Sequence, residues 1–110
     1  MALTLSAKGR ARWVWATGMM VVSPTLGRYR LTEANQTRPT SECEPDLADE
    51  VTAACLPMVV RAAFDSPLSW CAYEPWCGQW AAHLYFGCGG RCFRGSTEAE
   101  AWIAALEAAP

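Results

Sequence analysis

The chain is poor in the residues from which most catalytic and phosphate-binding sites are built: it has one histidine, His83, and one lysine, Lys8. A lone histidine with no motif around it supports no Ser-His-Asp arrangement, and neither a phosphate-cradling glycine loop nor a pair of catalytic carboxylates stands out. No catalytic residue is assigned and no enzymatic activity is expected. Cys-x-x-Cys is absent, which argues against thiol-exchange catalysis. Long apolar runs are absent too. The best of them, Trp13 to Val22, covers ten residues, whereas a helix needs roughly 20 to cross a bilayer, so no stable membrane span is expected.

Basic charge is scarce where a partner could use it. Lys8, Arg10 and Arg12 sit near the amino terminus, and beyond Gly27 six arginines face eleven acidic residues, a formal net charge near −5. Such a surface repels phosphate backbones and excludes nucleic acid as a partner. The acidic group Asp46, Asp49 and Glu50 lacks the alternating ligands and glycine of a calcium loop and reads as a solvated helix start.

What the chain does have is sulfur. Cys43, Cys55, Cys71, Cys77, Cys88 and Cys92 all lie between residues 43 and 92 of 110. An even cysteine set in a short chain suggests an oxidised framework in an exported protein. The amino terminus fits export, because residues 1–27 are basic up to Arg12, apolar to Val22, and turn at Ser23-Pro24. They are expected to be a signal peptide cleaved near Gly27, the alternative being a first strand retained in the fold. Residues 28–42 read as a polar linker. It contains Asn35-Gln36-Thr37, which makes Asn35 a candidate glycosylation site.

Residues 43–110 form the expected domain, a small disulfide-rich α+β fold with a short twisted β-hairpin and a C-terminal helix. Leu47, Val51 and Cys55 repeat every four residues behind an acidic turn, a helix signal that Pro57 ends. Met58 to Phe64 is apolar apart from Arg61 and is expected to be an extended strand. Glu74-Pro75 marks a turn and Trp80 to Phe86 a strand. After Gly95, Thr97 and Glu100 have capping-box spacing, and Ala99, Trp102, Ile103 and Leu106 make one apolar stripe. Of the tryptophans, Trp80 and Trp102 are assigned to packing and Trp76 to contact with a partner.

The cysteine gaps are 11, 15, 5, 10 and 3 residues. The second and last equal those of the Kunitz, or pancreatic trypsin inhibitor, family. Arg61, Phe64 and Asp65 follow Cys55 at offsets that resemble that family's landmarks. Tyr85-Phe86-Gly87-Cys88-Gly89-Gly90, with Phe93, Ser96 and Glu98, is similar to its glycine run and helix start. The resemblance implies pairing of Cys43 with Cys92, Cys55 with Cys77 and Cys71 with Cys88, although the count alone allows many other connectivities. It also implies that Cys55, Leu56 and Pro57 contact a serine protease, with Leu56 entering an apolar pocket.

The expected protein is therefore secreted and monomeric, a possible serine protease inhibitor or interaction module whose partner is a serine protease or another extracellular protein. It needs no cofactor, and no metal ligands are assigned. Two alternatives are an intracellular zinc module, using Cys71, Cys77, Cys88 and Cys92 with His83 as a substitute, and an orphan protein without enzymatic activity.

Overall fold

A computed structural model describes residues 4–33, 39–66, 68–86 and 89–110. The fold is α+β, with two three-stranded antiparallel sheets and four helices among the described residues. The chain divides into two units, Met1–Cys55 and Leu56–Pro110. The division falls at 55/56, twelve residues after the first cysteine, Cys43.

In the first unit, α1 (Ala7–Arg12) starts where the Ser6 hydroxyl accepts a hydrogen bond from the Gly9 amide at 3.2 Å. Strand β1 (Met20–Ser23) then turns into β2 (Gly27–Arg30), with Ser23 opposite Gly27. The Ser23 hydroxyl holds the intervening turn by accepting from the Leu26 amide at 3.1 Å. β3 (Glu44–Pro45) pairs on the other side of β1, giving the order β2-β1-β3. Pro45 is tolerable there because β3 is an edge strand. Residues expected in a leader thus supply the central strand of this sheet, with Met19 and Val21 fully buried. Arg28 to Arg30, expected in a linker, lie in β2.

Helix α2 (Glu50–Ala54) lies inside the expected Asp46–Cys55 signal. Thr52 is its one buried residue, and its polar groups are satisfied. The hydroxyl accepts from the Met20 amide at 2.7 Å and donates to Asp49 at 2.9 Å. Asp49 caps the helix, and Arg30 reaches it from β2. Asp46 accepts from Arg28 Nε at 2.9 Å. Asp46 and Asp49 are therefore engaged by arginines and a cap, whereas Glu50, in the first turn of α2, is exposed as a solvated helix start would have it.

The second unit begins with α3 (Leu56–Phe64), which corrects the strand expected over Met58 to Phe64. Leu56, Val59 and Val60 are its buried side chains, a spacing of three and four that fits one helical face. Pro57 falls in the first turn, where its missing N–H costs nothing. The helix ends in a Schellman motif. The Asp65 amide donates to the Ala62 carbonyl at 3.3 Å, the Ser66 amide to that of Arg61 at 2.9 Å, and Asp65 itself has φ +52°.

β4 (Leu68–Glu74), β5 (Gln79–Phe86) and β6 (Gly89–Gly95) form a meander in that order, one strand more than the expected hairpin. The turn after Glu74 is present and closes through Gly78, at φ +70°, whose amide donates to the Glu74 carbonyl at 2.9 Å. Arg61 reaches from α3 to β4, donating to the Ser69 hydroxyl at 2.7 Å and the Ser69 carbonyl at 2.9 Å.

Helix α4 (Glu98–Glu107) matches the expected terminal helix. The Thr97 hydroxyl accepts from the Glu100 amide at 3.1 Å, and the Glu100 carboxylate accepts from the Ser96 amide at 2.8 Å. Its buried face is rotated from the expected stripe. Trp102 and Leu106 are buried as expected, but Ala101 and Ala105 join them in place of Ala99 and Ile103. Small residues let the helix approach closely. A Cβ built on Gly95 would lie 2.6 Å from the Ala101 amide nitrogen. With α3 and α4 on one face of the meander, Ala82 and Leu84 of β5 are buried.

Candidate aromatic face on the second sheet

Alternation along the strands sends Trp70, Glu74, His83, Tyr85, Cys92 and Arg94 to the face opposite Ala82 and Leu84. Trp70, His83 and Cys92 form one cross-strand row. The Trp70 ring stacks on His83, at 5.4 Å and 27°, and on Tyr85, at 5.2 Å and 21°. Trp70 and Tyr85 stay accessible, 48% and 47% exposed. Because the rings stack on one another, much of their face area is used within the protein and the edges are what remain to a partner.

Charge is placed at one end of this ridge. Glu74 accepts from Arg94 Nε at 3.1 Å and lies 3.0 Å from its second nitrogen. His83 Nε2 is 4.0 Å from the other carboxylate oxygen. The Arg94 guanidinium also lies over the Trp76 ring, 5.4 Å from its centre. Trp76, in the β4–β5 turn, is 74% exposed. A shallow cleft of about 270 Å³ runs beside the ridge, lined by His83, Tyr85, Gly90, Arg91 and Cys92. Gly90 leaves it open, since a Cβ there would lie 3.1 Å from the Tyr85 ring.

Cys92 and His83 face each other across β5 and β6, yet no hydrogen bond joins them among the described residues. Glu74, which would have to orient the imidazole, is committed to Arg94.

The sequence-assigned residues are dispersed. Cys55 is the C-cap of α2, Leu56 opens α3 and is 1% exposed, and Pro57 follows in the helix. This segment is helical rather than extended. Cys43 is buried, Cys55 and Cys71 are half-buried, Cys77 and Cys92 are exposed, and none of these five is in a disulfide. Burial, with the Glu98 carboxylate second, pushes the Cys71 thiol up to about 11. Cys88 and Asn35 lie outside the described residues. Among the described residues no three His, Cys, Asp or Glu side chains are grouped as metal ligands, and no helix is long and apolar enough to cross a membrane.

Trp76 is exposed as a contact residue would be, and Trp102 is packed. Trp80 is partly buried and meets Tyr73 edge-on at 5.7 Å. His83 stacks on the Trp70 ring and lies 4.0 Å from a Glu74 carboxylate oxygen. The grouping of Trp70, His83 and Tyr85 depends on the register between β4 and β5, which residue spacing does not give. Comparison with known families, with curated proteins and with solved structures returns no match.

Proposed function

We propose that the chain is a non-enzymatic protein-interaction module that presents the outer face of the second sheet to an extracellular protein. The observation that carries this reading is the stacked ridge of Trp70, His83 and Tyr85, half-exposed and flanked by Trp76 and Arg94. Tryptophan, tyrosine and arginine are the residues that most often dominate binding energy at protein interfaces, at about 2 kcal/mol or more for each anchor. A sugar would need an open ring face to lie on, and self-stacking of the rings disfavours it. Arg94 and Glu74 neutralise each other on this face, so the fitting partner offers an apolar centre with polar groups at its rim.

Serine proteases are the partner class implied by the Kunitz resemblance, and they allow a direct test. Binding of the full chain to chymotrypsin, elastase and trypsin is measured with each active site free and blocked. The sheet-face reading expects binding that survives blocking and falls about tenfold or more in Trp70→Ala. Binding that blocking abolishes and that depends on Leu56 would instead assign the contact to the Cys55-Leu56-Pro57 segment. Absence of binding to all three removes proteases as the partner class.

A further inference from the structure

The meander ends in an uncovered edge. β6 has β5 on one side and no strand on the other, and along such an edge every second residue turns its N–H and C=O away from the sheet. Among the described residues the backbone of Gly89–Gly95 makes no hydrogen bond outside its own sheet. Gly89, Gly90, Arg91, Cys92 and Arg94 are exposed. The two arginines that could blunt the edge are engaged on the faces of the sheet instead. Arg91 lies over the Phe93 ring, 4.8 Å from its centre, and Arg94 is held by Glu74 and Trp76.

The strand is complementary to itself. β6 runs Gly89–Gly95, so Cys92 is its middle residue, and antiparallel pairing about a two-fold axis at Cys92 overlaps the strand along its whole length. In that register Arg91 faces the partner's Phe93, Arg94 faces the partner's Gly90, and Cys92 faces the partner's Cys92. The faces agree, because Arg91 and Phe93 lie on the side of Leu84 and Ala82, while Gly90, Cys92 and Arg94 lie on the side of Tyr85 and His83. Each copy sets a guanidinium against a ring and another against a residue without a side chain, and no arginine meets an arginine. Moving the axis between Cys92 and Phe93 sets Arg91 against Arg94 on both sides of it, which like-charge repulsion disfavours. Moving it to Phe93 pairs only residues 91–95.

We propose that a second copy of the chain pairs along β6, giving a two-fold dimer with one continuous six-stranded sheet and Cys92 at its axis, in place of the monomer expected from the sequence. The pairing uses the edge of the meander and not the ridge of Trp70, His83 and Tyr85, so it stands or falls separately from the interaction reading. Opposed residues on neighbouring antiparallel strands have Cα atoms about 4.5–5.5 Å apart, within the reach of a disulfide. Cys92 therefore reports the register. Diamide, an azo oxidant, joins the two sulfurs and takes up the two thiol hydrogens with their electrons, becoming the hydrazine.

Sedimentation of the full chain under reducing conditions, from about 10 μM to about 1 mM, measures the association. A species of twice the chain's mass is expected to grow with concentration, and diamide is expected to link Cys92 to Cys92 in proportion to it, read by non-reducing peptide mapping. Cys92→Ser loses the cross-link and keeps the reversible dimer. Phe93→Arg sets like charges opposite one another at two symmetric places and weakens association about tenfold, and Arg91→Glu in the same chain restores it. A single species of one chain's mass up to about 1 mM would overturn the proposal. Cross-links made mainly through another cysteine, or undiminished association in a folded Phe93→Arg, would do the same.

Discussion

Arg30 holds Asp49 through two hydrogen bonds, from its two terminal nitrogens at 3.1 and 2.8 Å, and so ties β2 to the first turn of α2. The same carboxylate accepts from the Thr52 amide at 3.1 Å. Arg30 first, and the Thr52 amide second, hold the Asp49 carboxyl well below the usual carboxylate range. A group whose folded value is depressed stabilises the fold fully above its unfolded value and loses that contribution as pH falls towards the folded one. The first unit should therefore weaken below about pH 4. Hydrogen exchange in residues 18–31 and 46–54, followed across acidic pH, should show this, and Asp49→Asn should flatten the dependence.

Asp65 occupies a left-handed position that glycine adopts without strain. Asp65→Gly should stabilise the second unit by about 1 kcal/mol, and Asp65→Val should destabilise it by at least as much. Urea unfolding of the two variants measures both directions.

Gly95 has no room for a methyl group against the backbone of Ala101. Gly95→Ala should cost about 1–3 kcal/mol through displacement of α4. Thr97→Ala, which removes only the cap, should cost about 1 kcal/mol. The difference is readable as a larger drop in Tm for the glycine variant.

The thiols should differ in reactivity. Cys77 and Cys92 are exposed and should alkylate first, whereas Cys71, with its thiol raised to about 11, should react slowly at neutral pH. Timed alkylation with peptide mapping ranks them. Export is proposed separately from the thiol ranking, and material from an oxidising compartment would show intact mass lower by about six hydrogens if three disulfides form.

A chain beginning at Arg28 would lack β1, the strand between β2 and β3. Residues 28–55 should then lose their protected amides while those of the meander persist in exchange measurements.

Elements whose signals are local could be read from the sequence. α4 has its cap and period within a dozen residues, and β5 alternates buried Ala82 and Leu84 with His83 and Tyr85. α3 was not legible as a helix because Val59 and Val60 are β-branched, and contiguous apolar residues hide the Leu56, Val59, Val60 face. β6 begins with two glycines and is mostly exposed, so it carries little hydrophobic pattern. β1 lies in a short apolar run that also has the character of a leader, and its pairing with distant Glu44 and Pro45 is a tertiary fact. The aromatic face was half visible. Trp76 stood out beside a turn, but Trp70 meets His83 and Tyr85 only through strand register.

The grip of Arg61 on the Ser69 carbonyl has an outcome for self-association. That oxygen lies on an outer margin of the meander, and an incoming strand would need it as a hydrogen-bond acceptor. With the guanidinium seated there, polymer growth by strand addition is obstructed along β4. Weakening that one clasp would open a route to fibres without touching the core.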